Sequence, residues 1–266
     1  MKIRFILSVL MYFFISNVYS FEIKDIKKKF KVNPLTINLS QKGDWKLINH
    51  KHKKVYSAPL DTYYLVKLKN NQISEIIEIF RAYGAPDHPT ESNEFFYNML
   101  YNANKKGACR NHSKYFLFEL YKSGQIGNCF LITNWSPQKG IYSPQYYQTD
   151  YTNMNFSADV YQDFFLNLGI ELPKMMLRSE SYYYDNKSGG RLFILKRSIN
   201  PEINGGPPTK FSNEKQSEYH VDNLKLNKVS KSYLREWSNK QIELHIKFEK
   251  ELNIMNKRRL NFTNER

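Results

Sequence analysis

Two cysteines and six histidines hold most of the chemistry this sequence could perform. Cys109-Arg-Asn-His112 sets a thiol close to an imidazole, and a cysteine nucleophile does need a nearby base or cation to lower its pKa. Catalytic pairs of that kind come from segments far apart in sequence, so adjacency is poor evidence. With Cys129 available to oxidise Cys109, the two read more simply as a disulfide formed in an oxidising compartment. Such a bridge closes a loop of about twenty residues, which the chain-entropy model values at roughly 3 kcal/mol.

His50-Lys-His52 points both imidazoles to one face if the segment is a strand, and two ligands could begin a metal site. No nearby cysteine or carboxylate pair completes the set, so an exposed polar strand is expected there and no metal. His220, in Glu218-Tyr-His-Val-Asp222, lies near two carboxylates but without a Gly-x-Ser-x-Gly elbow or other nucleophile signature. Walker and Rossmann glycine patterns and the His-Glu-x-x-His zinc motif are also absent, and no cofactor is implied. The balance favours a protein without catalytic activity. A carboxylate-based hydrolase stays as the alternative, because such enzymes carry no local signature.

The candidate ligand-binding residues are Trp135, Tyr142, Tyr146, Tyr147 and Tyr151, set among Gln, Asn, Ser and Pro. Aromatic rings supply apolar area while hydroxyls and amides satisfy hydrogen bonds, which suits a sugar or peptide. The competing reading is that these rings cover a sheet edge. In Tyr182-Tyr183-Tyr184, strand alternation sends Tyr183 to one face and its neighbours to the other.

The elements that must position these residues are mostly strands. Trp45-Lys-Leu-Ile48 reads as a strand with a charged continuation. Thr62–Leu68, a polar turn at Lys69-Asn-Asn-Gln72, and Ile73–Phe80 form a first hairpin. Ile73, Ile76, Ile77 and Phe80 also fit a helical period, but the turn before them and the repeated pattern at Lys114–Leu120 and Ile126–Thr133 favour strands. Met175–Tyr184 and Arg191–Ile199 flank a third hairpin loop. Helices are expected at Glu91–Asn102 and from Ser157 to Leu168, the second closed by Gly169 in the left-handed C′ position with Ile170 as its apolar contact. Asn200–Ser217, rich in Gly and Pro, is expected to be a mobile loop. Ser230–Asn256 carries a stripe of Leu234, Trp237, Leu244, Phe248, Leu252 and Met255 and reads as a long helix, although Ile242–Glu249 alternates as a strand would.

These elements predict an α+β fold: an antiparallel sheet built from hairpins, covered by two short helices and a long C-terminal helix. Lys2 and Arg4 followed by the apolar run Phe5–Ile15, with Val18 and Ser20 at the end, form a signal peptide cleaved near Ser20–Phe21. The organisation is then 1–20 leader, 21–34 basic N-terminal arm, 35–229 globular domain and 230–266 C-terminal amphipathic helix with a basic tail. No later stretch is apolar enough to span a membrane. The charge of +15 favours anionic partners, but Lys, Asn, Ile, Tyr and Phe are enriched together as compositional bias alone would enrich them. Nucleic-acid modules are missing. The expected protein is periplasmic or secreted and non-catalytic, an accessory or binding protein for another protein or an envelope glycan. The alternatives are an envelope hydrolase and a peripheral binder of anionic membrane or glycan surfaces.

Overall fold

The computed structural model describes residues 23–39, 44–55, 58–83, 116–123, 126–137, 165, 168–185, 190–252 and 261–262. Its centre is a nine-stranded antiparallel sheet in the order β1-β4-β5-β6-β10-β9-β8-β7-β11. The strands are β1 (Lys24–Ile26), β4 (Asp44–Val55), β5 (Ala58–Lys69), β6 (Gln72–Tyr83), β7 (Leu117–Ser123), β8 (Ile126–Trp135), β9 (Met176–Asp185), β10 (Arg191–Ile199) and β11 (Asn261–Phe262). Two up-and-down runs, β4-β5-β6 and β7-β8-β9-β10, meet where β6 pairs with β10. All three hairpins expected from the sequence are present. At the β5–β6 turn Asn70 and Asn71 both take positive φ (52° and 59°), the conformation of a two-residue turn whose twist matches its strands.

Side chains alternate between two covered faces. Tyr64, Ile76, Leu131, Tyr182, Tyr184 and Ile194 belong to one core, and Leu65, Ile77, Tyr183, Phe193 and Leu195 to the other. Strand β9 is buried at every one of its 10 positions, as a central strand covered on both sides must be. Tyr182 and Tyr184 therefore face away from Tyr183, as alternation predicts. Gly127 has no room for a side chain, because a Cβ there would lie 2.0 Å from the ring of Tyr184, its partner across the ladder.

The second face is covered by two elements. One is helix α1, Lys228–Glu251, so the alternating stretch at 242–249 is helical. The other is a separate two-stranded hairpin, β2 (Lys29–Val32) with β3 (Leu35–Asn38). This hairpin and β1 correct the expectation of a basic arm at 21–34. Period-two alternation explains the difference: Lys29 and Lys31 point outward while Val32, Leu35 and Ile37 are buried against the sheet.

Helix α1 is the one long helix among the described residues, and none there is long and apolar enough to cross a membrane. The helix expected at 91–102 lies outside the described residues. Of the one expected at 158–168, only Phe165 and Leu168 are described. Gly169 has φ of +64°, and the Ile170 amide bonds the Phe165 carbonyl at 2.9 Å, a Schellman-type closure, with both apolar side chains in the first core.

The loop at 200–217 is not the mobile segment its Gly and Pro content predicts. The Asn200 amide donates to the Ile73 carbonyl (3.1 Å), Asn204 to the Ser74 carbonyl (3.1 Å), and the Thr209 backbone to Glu202 (2.9 Å). Asparagine side chains replace the missing backbone ladder and fix the loop to the β5–β6 hairpin.

Candidate functional site

A row of chemical side chains around the buried Asp61 lies on the second face, at the end of the sheet bearing β4. Strand alternation brings His50 and His52 to the same side, and register sets His50 opposite Tyr63 and His52 opposite Asp61. The β5–β6 ladder then sets Asp61 opposite Arg81. His52, Asp61 and Arg81 thus form one row across three strands.

In that row the His52 ring nitrogen Nδ1 lies 2.7 Å from Asp61 Oδ1, and His50 Nε2 is 3.9 Å from the same oxygen. Arg81 holds the other oxygen, donating through Nε at 3.1 Å and through Nη2. Arg81 and Tyr83 also reach the hairpin turn, both donating to the Asn33 carbonyl, at 3.2 and 2.7 Å. His50 stacks on Tyr63 with centroids 4.4 Å apart. One row further on, Arg191 pairs with Asp185 at 2.8 Å, with the Tyr183 hydroxyl nearby.

The electrostatics follow from burial and pairing. Burial alone would raise the Asp61 pKa, but hydrogen bonds from His52 and Arg81, and their charges, outweigh it and hold the carboxyl below its ordinary value. Tyr63 is pushed up by burial and then by the charge of Asp61. An ionised Asp61 can only accept, so Nδ1 of His52 donates to it, from a ring that is 56% exposed. The arrangement can orient an imidazole as a general base; it lacks a nucleophile in the row.

Among the described residues no group of three or more His, Cys, Asp or Glu side chains is arranged to hold a metal ion. His50, His52 and Asp61 are drawn together, but the direct His52–Asp61 contact closes the space and Arg81 adds a positive charge beside it.

A second charged group is buried on the first face. Arg178 pairs with Glu78 at 2.7 Å, lies 3.8 Å from Glu180, and donates to Ser198 at 3.1 Å; Lys196 stands 4.0 Å from Glu180. Trp135 belongs to this group. Its indole N–H donates to Ser198 (3.1 Å), and the Arg178 guanidinium lies 3.6 Å from its ring centroid. At 6% exposure Trp135 is part of the core rather than the wall of an open groove. Tyr142, Tyr146, Tyr147 and Tyr151 lie outside the described residues.

His220 accepts from the Asp222 amide (3.4 Å) and caps the short 3-10 turn Val221–Asn223, a structural role. Cys129 is buried on β8, and no free cysteine is found among the described residues; Cys109 and His112 lie outside them. Asp61 and Arg81 were not among the residues the sequence singled out. A lone acid in the aromatic strand Thr62–Leu68 and its flank was the available signal. Comparison with family models, with curated proteins and with solved structures found no match. The fold and site define a class only: an antiparallel-sheet protein with one long packed helix and a paired His–Asp–Arg row.

Proposed function

We propose that the chain is an exported, non-catalytic binding protein that contacts an anionic envelope surface through its N-terminal strands. The observation that carries this reading is the outward row of Lys24, Lys27, Lys28, Lys29 and Lys31, all exposed on β1, β2 and their junction. Two paired strands and their junction hold these charges on a fixed support, and net charge of +15 adds to their field. The carboxylates support binding over hydrolysis: Asp61, Glu75, Glu78 and Asp185 each lie within 3.1 Å of a cationic partner. Export rests on the leader at 1–20 with cleavage near Ser20–Phe21, and with it comes the Cys109–Cys129 bridge. Thiol labelling of unfolded, unreduced mature protein is expected to find no free cysteine.

The test of the binding reading is co-sedimentation of the mature chain with anionic and zwitterionic vesicles over a salt series. Binding is expected for the anionic vesicles alone, falling steeply with salt. A variant carrying Lys27→Gln, Lys28→Gln, Lys29→Gln and Lys31→Gln should lose it with unchanged circular dichroism. Salt-insensitive binding, or none, overturns the reading.

The His52–Asp61 pair favours one second reading, an envelope hydrolase using His52 as base. It requires ester hydrolysis that drops about 100-fold or more in His52→Ala. Hydrolysis absent from the wild-type chain removes it.

A further inference from the structure

We propose that the cleft between β3 and the C-terminal half of α1 is a binding site for a small oxyanion carried on an apolar body, with Arg197 as its anchor. Four arginines project from the described strands. Arg81, Arg178 and Arg191 each pair directly with a carboxylate. Arg197 has no such partner: its Nε is shielded from solvent and makes no hydrogen bond, although the residue as a whole is only half-buried. It lines an open cleft, of which only about 20 Å³ is enclosed, together with Thr36, Leu244, Lys247, Phe248 and Glu251.

The two nearby acids are already engaged. Glu75 pairs with Lys67 at 2.6 Å, and Glu251 accepts from the Thr36 amide at 2.9 Å while facing Lys247 at 3.9 Å. They act on Arg197 only at longer range, and burial still lowers its pKa to about 10. A guanidinium whose Nε is shielded in this way costs stability unless something supplies that N–H with an acceptor. Its planar donors match a carboxylate or phosphate, Lys247 adds a second positive charge at the mouth, and Leu244 and Phe248 offer apolar wall. The enclosed part has room for little more than one oxygen of the head group, so the chain would lie along the open mouth against Leu244 and Phe248. The inference does not draw on the exposed lysines of β1 and β2.

Calorimetric titration of the full chain with hexanoate, hexylamine and inorganic phosphate tests it. Hexanoate should bind and hexylamine should not. Binding of phosphate as tightly as hexanoate identifies a free-phosphate site and overturns the apolar part of the proposal. Arg197→Gln should weaken hexanoate roughly ten- to a hundredfold, the range for a lost charge-assisted hydrogen bond. The same variant should unfold at a higher temperature, since it removes an uncompensated charge; a lower melting temperature with hexanoate affinity unchanged marks Arg197 as structural and overturns the site. Lys247→Gln, on an exposed helix position, gives a second reading with little effect on folding: several-fold weaker hexanoate binding is expected, and no change refutes the cleft.

Discussion

Arg178 shows most clearly how single residues hold this sheet. Its guanidinium serves Glu78, Ser198 and the face of Trp135 at once and lies near Glu180. The residue and Glu78 are 3% and 1% exposed, so neither charge can fall back on water. Arg178→Met should therefore cost about 3–5 kcal/mol by urea denaturation, because Glu78 is left charged and buried. Adding Glu78→Met should restore much of that loss, since a well-packed apolar pair can replace a buried ion pair. A single variant within about 1 kcal/mol of wild type would contradict the argument. The pairing itself was hard to read from sequence. Glu78 and Arg178 are separated by 100 positions and are diagonal neighbours across β6, β10 and β9. The His52–Asp61–Arg81 row was hidden for another reason. A register shift between Lys67 and Leu68 moves every later partner by one residue, so counting back from the Asn70-Asn71 turn pairs Asp61 with Phe80 instead of Arg81.

Helix α1 carries the same lesson one level up. The apolar stripe read from the sequence is half of its buried face: Leu234, Trp237, Phe248 and Leu252 are buried, and so are Gln241, His245 and Glu249. These polar side chains meet polar partners on the strands beneath. Gln241 accepts from Ser179 at 3.0 Å, His245 lies 3.0 Å from Ser181 and stacks on Phe130, and Glu249 accepts from Asn128 at 2.6 Å. The seam explains how a helix with a weak stripe can pack on its own sheet. Ser179→Ala should cost about 1–3 kcal/mol, because it strands the buried Gln241 amide. Ser179→Ala with Gln241→Leu should cost less than the single change, and equality of the two in a denaturation cycle would show that the contact carries no coupling. The hairpins were legible because turn residues and alternation are local signals. The seam was not, since nothing in the helix tells which serines lie across from Gln241 and His245.

At the scale of the whole molecule, burial of phenols ties the parts of the fold to one pH limit. Tyr64 under the first face and Tyr219 beside the helix are 0% and 1% exposed, and burial pushes both well above the ordinary phenol value, aided by Glu78 at Tyr64 and by Tyr233 at Tyr219. Burial likewise raises Tyr63, Tyr83 and Tyr183, and takes Tyr233 to about 12. Each is neutral in the fold, so the stability it contributes is complete below the unfolded value near 10 and is lost as pH rises above it toward the folded value. Tyr64 and Tyr219 can each add up to about 1.4 kcal/mol per pH unit to that decline. The sheet joins distant tyrosines through a β6–β10 pairing that no local signal announces, so their release should be shared rather than successive. Above pH 10, tyrosinate absorbance is expected to rise for exposed phenols first, then in one steep step coincident with loss of near-ultraviolet circular dichroism. Tyr64→Phe should move that step to higher pH, because it removes one proton that only the unfolded chain can release. A smooth titration of all phenols with the dichroism intact would show that the two faces open to solvent without unfolding, and the covered-sheet account would fail.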